Sequence, residues 1–168
     1  MTRLTGPLPL SPGDPVGDFS SGEPEIDGWL AQRAHRAEKS RTARTYVAID
    51  LDSGLIAGYF CLSAHSVARE SIGGGWLARN SPELVPVVLL GRLGVDRRYQ
   101  ENHLGAALLK DAILRTIAVA RTIGARALLV DALTETAAGF YEHYGFRRVP
   151  GSPQTLFLPL ERMMEADS

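Results

Sequence analysis

A single α/β (α+β) domain built on a mixed sheet is what this 168-residue sequence predicts, and three patterns carry the expectation. First, "TYVAIDLDSGLIAGYFCLSAHSV" holds two strand-like runs around an Asp-Ser-Gly turn, which is an antiparallel hairpin. Second, "PVVLLGRLGVD" and "ARALLVDAL" are apolar strands separated by a long helical pattern, a β-α-β unit that requires parallel pairing. Third, "TETAAGFYEHYGF" reads as a helix that stops at Gly145, followed by a closing strand, "TLFLPL". Hairpin plus crossover gives a mixed sheet with helices packed on both faces. The length suits one domain, and 45% apolar with 22% charged residues is ordinary for a globular chain.

In chain order, residues 1–18 are expected as a flexible tail, since Pro7, Pro9, Pro12 and Pro15 interrupt any regular element. The domain then spans 19–160, with a C-terminal tail at 161–168. Pro24 suits a helix's first turn, Glu25 and Asp27 complement its positive end, and Ile26, Trp29, Leu30 and Ala34 form the apolar stripe. Tyr46 to Leu51 and Ile56 to Val67 are the hairpin strands. "SIGGGWLARNSPEL" is a glycine-rich connection, and Pro86 to Asp96 is the next strand. Leu104, Leu108, Leu109, Ala112, Ile113, Ile117 and Ala120 keep helical spacing, with Gly124 as the stop. Thr134 and Thr136 are both candidate caps for the last long helix.

Several function classes drop out on composition. A net charge of −1 excludes a uniformly basic nucleic-acid coat, although not a local patch. Cys61 is the only cysteine, so no intrachain disulfide forms. No stretch approaches the roughly 20 apolar residues of a membrane span, and the N-terminal region lacks a secretory pattern, so the expected location is the cytoplasm. His35, His65, His103 and His143 lack metal-ligand spacing, and no metal is expected. Cys61 reads as a core thiol, Trp29 as packing and Glu135 as a surface carboxylate; Trp76 is a candidate for lining an acceptor groove.

The segments "LLGRLGVDRRYQ", "ARALLVDA" and "AAGFYEHYGFRRV" together resemble the GCN5-related N-acetyltransferases over about residues 19–160. Within that superfamily, "FSSGEPEIDGWL", "RTYVAID", "IAGYFCLS" and "DALTETAAGFYEHYGF" are similar to the acetyltransferase toxins of bacterial type II toxin–antitoxin systems. The resemblance implies acetyl transfer from acetyl-CoA to the α-amino group of aminoacyl-tRNA, which blocks translation. It also implies a homodimer and a cognate antitoxin of the ribbon-helix-helix type.

A strand–turn–helix at 93–105 is by itself an anion site, because the first N–H groups of a helix lack intrahelical partners. The family's pyrophosphate motif maps onto Gln100, Glu101, Asn102, His103, Leu104 and Gly105, with Ala106 following. Gln100 and Gly105 match that motif. His103 replaces its middle glycine, where a side chain strains the turn or crowds phosphates. Glu101 adds negative charge, and Arg97 and Arg98 supply compensating positive charge. The resemblance further assigns thioester polarisation to the backbone of Leu93, Gly94 and Val95, and catalysis to Tyr141. A phenol of pKa about 10 can protonate a departing thiolate whose conjugate acid lies near ~8.5. From spacing alone, Phe140, Tyr141 and Tyr144 equally read as helix packing.

"RAHRAEKSRTAR" concentrates Arg33, Arg36, Lys39, Arg41 and Arg44 against Glu38. Such a run is a candidate phosphate-contacting patch, with Arg92, Arg147 and Arg148 as further candidates, and equally a solvated helix face. Two other functions remain open at this level. One keeps the fold with a small-molecule or protein amine as acceptor. The other is a degenerate domain with weak acetyl-CoA binding that serves as an interaction module.

Overall fold

The computed structural model describes residues 2–72, 82–100 and 103–166. Among the described residues the strands form one seven-stranded mixed sheet in the order β1 (Leu8–Pro9), β2 (Arg44–Ile49), β3 (Ile56–Ala68), β4 (Leu84–Val95), β5 (Ala127–Asp131), β7 (Ser152–Pro159), β6 (Arg147–Val149). The chain divides into two compact units, Met1–Ser63 with Gly91–Ala112, and Ala64–Leu90 with Ile113–Ser168.

In the first unit, β2 (Arg44–Ile49) and β3 (Ile56–Ala68) make the expected antiparallel hairpin, in register from Arg44↔Leu62 to Ile49↔Ile56. Its turn closes through the Asp50 N–H donating to Leu55 O at 2.9 Å, with Gly54 at φ +77°. Leu51, expected in the strand, is exposed in this turn. The N-terminal segment differs from the flexible tail the prolines suggest. Leu8–Pro9 form β1, antiparallel to β2, and Leu4 bridges Asp50. Prolines are tolerated there because an edge strand needs only some of its N–H groups paired, and the N–H groups of Thr5 and Leu10 supply bonds to Ile49 O and Thr45 O at 2.9 Å each.

The first helical stripe folds as two helices, α1 (Pro24–Gln32) and α2 (Ala34–Ser40), with the break at Arg33 (φ −122°). Leu30 and Ala34 are fully buried with Phe19, Val47, Ile56 and Tyr59, and Ile26 and Trp29 pack against that core. The Tyr59 hydroxyl donates to Ile26 O at 2.6 Å while its ring stacks on Trp29 and meets Phe19 edge-on. One residue therefore joins strand, helix and N-terminal segment.

Strand β4 (Leu84–Val95) leads through a short 3-10 turn at Arg97–Tyr99 to α3 (Leu104–Ile123), which Gly124 ends at φ +88°. Two glycines let α1 and α3 approach their strands. A Cβ on Gly58 would lie 2.8 Å from Leu108 Cδ1, and one on Gly94 would collide with Ile26 Cγ2.

In the second unit, β5 (Ala127–Asp131) pairs parallel to β4 over Val88–Leu90 and antiparallel to β7 (Ser152–Pro159). A short strand without a sequence signature, β6 (Arg147–Val149), closes the edge against β7. Helix α4 (Glu135–His143) is capped by the Thr134 hydroxyl, which accepts from Ala137 N at 3.1 Å. The expected C-terminal tail contains α5 (Glu161–Ala166), whose Met163 and Met164 pack against Ile117, Ala120 and Leu160. No helix among the described residues is long and apolar enough to cross a membrane.

Candidate active site

The phosphate-loop segment starts from a buried carboxylate that the sequence reading passed over. Asp96 caps the turn at Arg97–Tyr99 and is 1% exposed. It accepts from Ser20 N (2.9 Å) and Arg98 N (2.9 Å), and from Arg98 Nε (2.8 Å) and Nη2 (2.9 Å). Burial pushes its pKa up, the Arg98 guanidinium and the two backbone N–H groups pull it down, and the net direction is down. The legible signal was an N-cap residue, Asp, directly before Arg-Arg.

Arg98 also donates to Asp18 O at 3.2 Å, so its charge is committed to Asp96 and the N-terminal segment rather than standing free beside the loop. The Gln100 amide is likewise engaged, donating to Ser21 O at 2.9 Å and Val95 O at 3.0 Å. The Arg97 N–H donates to Ser20 O at 2.9 Å. Its guanidinium lies over Gly22, whose φ of +99° and lack of a Cβ accommodate it. Residues 18–22 and 95–100 are thus one bonded unit, and both Gln100, which matches the motif, and Arg98, expected to supply compensating charge, are engaged within it.

A depressed folded pKa stabilises above the unfolded value and is lost below it. The Asp96 contribution is complete above an unfolded pKa of about 3.9 and disappears as pH falls through the lower folded value. We expect Asp96→Ala to cost about 2 kcal/mol at neutral pH, as for hydrogen bonds to a charged group. Chemical denaturation at pH 7 and pH 3 checks this: the gap between variant and wild type narrows at the lower pH.

Glu101 and Asn102 lie outside the described residues, as does Trp76. His103, directly before α3, is exposed and has φ +55°, the left-handed region that favours glycine. The backbone here keeps the glycine conformation while carrying an imidazole. Leu104 is buried, and Gly105 and Ala106 are half-buried in the first helical turn. The first described intrahelical acceptor in this turn is His103 O, bonded by Ala107 N at 3.3 Å, so the N–H groups of Leu104, Gly105 and Ala106 precede the helical ladder. His103→Gly is expected to raise stability by about 1 kcal/mol by removing the left-handed penalty, read as a higher Tm. Acetyl-CoA titration of the same variant is expected to give tighter binding, because less side chain crowds the loop.

Leu93, Gly94 and Val95 end β4 beyond its parallel register with β5, which covers Val88–Leu90. Arg92, half-buried between Gly91 and Leu93, donates from Nη1 to Gly91 O at 2.8 Å and has a buried Nε without a hydrogen-bond partner among the described residues. Cys61 is a core thiol, pushed up to about 12 chiefly by burial, which leaves it inert as a nucleophile.

The basic run resolves into two kinds of residue. Arg33, Arg36, Lys39 and Arg41 are exposed. Arg44 pairs with Glu38 at 3.2 Å, and Glu38 also accepts from Thr45 N at 2.6 Å. Arg41 ends α2 at φ +61°, with Thr42 N donating back to Ala37 O at 3.0 Å. Among the described residues, the non-glycine positions with positive φ are Arg41 and His103. Strained positions of this kind cluster at binding sites.

Tyr141 belongs to the second unit, in the last turn of α4, and is 6% exposed. The helix end holds it from both sides. Gly145 (φ +98°) lets Gly145 N donate to Glu142 O (3.0 Å) and Phe146 N donate to Tyr141 O (3.1 Å), and the Phe146 ring packs on the Tyr141 ring at 5.4 Å. This is a left-handed C-cap with its hydrophobic contact, which explains the spacing of "YEHYGF". Glu135 is bound to Arg148, which lowers its pKa and makes it a poor base. Among the described residues no three His, Cys, Asp or Glu side chains group as metal ligands.

Residues 41–148 match the acetyltransferase (GNAT) domain family. The chain belongs to that family. This GNAT chain is 40% identical over 158 residues to a tRNA-acetylating toxin of Mycobacterium tuberculosis (strain ATCC 25618 / H37Rv), covering 94% of this chain and 93% of the relative. It is similar in fold to AtaT complexed with acetyl-methionyl-tRNAfMet, with a TM-score of 0.88 at 24% identity over 99% of this chain and 100% of that one. A structure of AtaTR bound with AcCoA gives a TM-score of 0.84 at 24% identity, covering 98% of each chain.

Proposed function

We propose that this GNAT chain is an acetyltransferase toxin that moves acetyl from acetyl-CoA to the α-amino group of aminoacyl-tRNA, so blocking translation. The observation that carries it is the near full-length likeness to a tRNA-acetylating toxin. The same reading makes it a cytoplasmic homodimer silenced by a cognate ribbon-helix-helix antitoxin; that a structure of AtaT bound to the C-terminus of the antitoxin AtaR shares the fold supports such a partner.

The residues supply each part of the chemistry. The N–H groups of Leu104, Gly105 and Ala106 meet the pyrophosphate of acetyl-CoA, with Arg97 adding a donor. Asp96, Arg98 and Gln100 hold the end of β4 that leads toward this helix, through their bonds to residues 18–21. Backbone N–H groups of Leu93 to Val95 polarise the thioester carbonyl. An α-amino group has a pKa of about 7.7–8.0 in peptides, so a useful fraction is neutral near pH 7 and attacks directly. The C–N bond forms as the C–S bond breaks, Tyr141 gives its proton to the leaving thiolate, the amine's proton passes to solvent, and Tyr141 takes a proton back from solvent to complete the cycle. Arg33, Arg36, Lys39 and Arg41 contact tRNA phosphates, with Arg44 and Arg92 as further candidates.

His103 argues against the degenerate alternative. It pays a left-handed penalty to keep the backbone a glycine would give, which a loop released from cofactor binding has no reason to retain. Incubation with labelled acetyl-CoA and charged tRNA tests the proposal. N-acetylated aminoacyl-tRNA is the expected product, and its absence, with acetylation of small amines instead, would reassign the acceptor.

A further inference from the structure

We propose that Arg148 is a positioning residue for Tyr141, acting through a clamp on both ends of α4. The inference rests on the reading of Tyr141 as the proton donor to the leaving thiolate. Glu135 is the first residue of α4 and Glu142 the eighth, two turns apart and therefore on one face. Both reach the same guanidinium. Arg148 Nη2 donates to Glu135 Oε1 at 2.7 Å and to Glu142 Oε1 at 2.7 Å, and Nη1 donates to Glu135 Oε2 at 3.1 Å and to Pro153 O at 3.3 Å. Arg148 sits on β6 opposite Leu156 of β7, so the clamp fastens the helix to that hairpin.

A further attachment of Tyr141 runs through the same hairpin. Phe146, whose N–H donates to the Tyr141 carbonyl and whose ring packs on the Tyr141 ring, is the residue before β6 begins. A nine-residue helix does not hold itself in water and takes its position from what it is bonded to. Isolated surface ion pairs contribute little. Here, however, one planar fork satisfies two carboxylates and a carbonyl at once, a geometry that fixes orientation and that lysine's point charge does not reproduce. Arg148, a candidate tRNA contact on sequence grounds, is bonded in the structure to two carboxylates.

A proton donor misplaced by about an ångström loses up to 10²-fold in rate. Arg148→Ala is therefore expected to lower kcat about tenfold with the KM for acetyl-CoA unchanged, and Arg148→Lys to fail to restore it. The deciding measurement is a double-mutant cycle in single-turnover acetylation of charged tRNA at saturating acetyl-CoA. If Arg148 acts through Tyr141, Arg148→Ala lowers the rate less than twofold in the Tyr141→Phe background. An equal loss in both backgrounds, or no loss in wild type, overturns the clamp alone. Full activity of Tyr141→Phe overturns the tyrosine reading, and the clamp with it. Should thermal melts show Arg148→Ala unfolded at the assay temperature, Glu142→Gln is read by the same cycle, since it leaves the bonds to Glu135 and Pro153 in place.

Discussion

Replacing Tyr141 with phenylalanine is expected to lower kcat by about 10²–10⁴-fold, the range over which general acids contribute, with little change in the KM for acetyl-CoA. The substitution removes one oxygen and keeps the ring. The ring packs on Phe140 at 5.2 Å and on Phe146 at 5.4 Å, two contacts that phenylalanine also makes. The helix cap through Gly145 uses backbone atoms and is also retained. Loss of rate with an unchanged thermal melt then reports chemistry rather than folding. Tyr144→Phe is the internal control, because Tyr144 is 41% exposed at the helix end and is expected to be neutral. Wild-type kcat in Tyr141→Phe would leave the thiolate to depart unaided and the ring as packing only.

The second large effect belongs to the basic segment. Changing Arg33, Arg36 and Lys39 to Gln and Arg41 to Asn removes four exposed cations while leaving the Arg44–Glu38 pair intact. Asparagine is chosen at 41 because it tolerates the left-handed backbone found there. If all four meet phosphates, the slope of log affinity for tRNA against log salt flattens by roughly 3, at about 0.7–0.9 per contact. Acetyl-CoA affinity is expected to stay within twofold, since Arg97 and the α3 N-terminus are untouched. An unchanged salt slope would return the segment to a solvated helix face and move the tRNA surface elsewhere. Together, the two experiments separate the chemical step from acceptor binding.

What the sequence determined by itself is what short-range physics encodes. Alternation in "TYVAID" and "IAGYFCL" specifies the hairpin, and apolar spacing from Leu104 to Ala120 specifies the long helix. Thr134, Gly124 and Gly145 mark helix ends because caps and left-handed stops have residue preferences of their own. Tyr141 and the loop ends at Gln100 and Gly105 were legible through the motif they resemble.

Only the tertiary structure decided which polar groups meet. Asp96 and Arg98 are bonded to residues near position 20, and Gln100 to Ser21, across 76 to 80 positions of sequence. Arg148 turned from a free cation into the fastening of α4. The proline-rich start became an edge strand because β2 offered it an unpaired side. One helix became two at Arg33, and His103 took a conformation its side chain disfavours. None of these leaves a periodic trace. A helix or strand repeats every few residues and so writes itself into local pattern. The partner of a buried carboxylate or a guanidinium is set by the distant groups the fold brings within about 3 Å, and that choice exists only once the chain has closed.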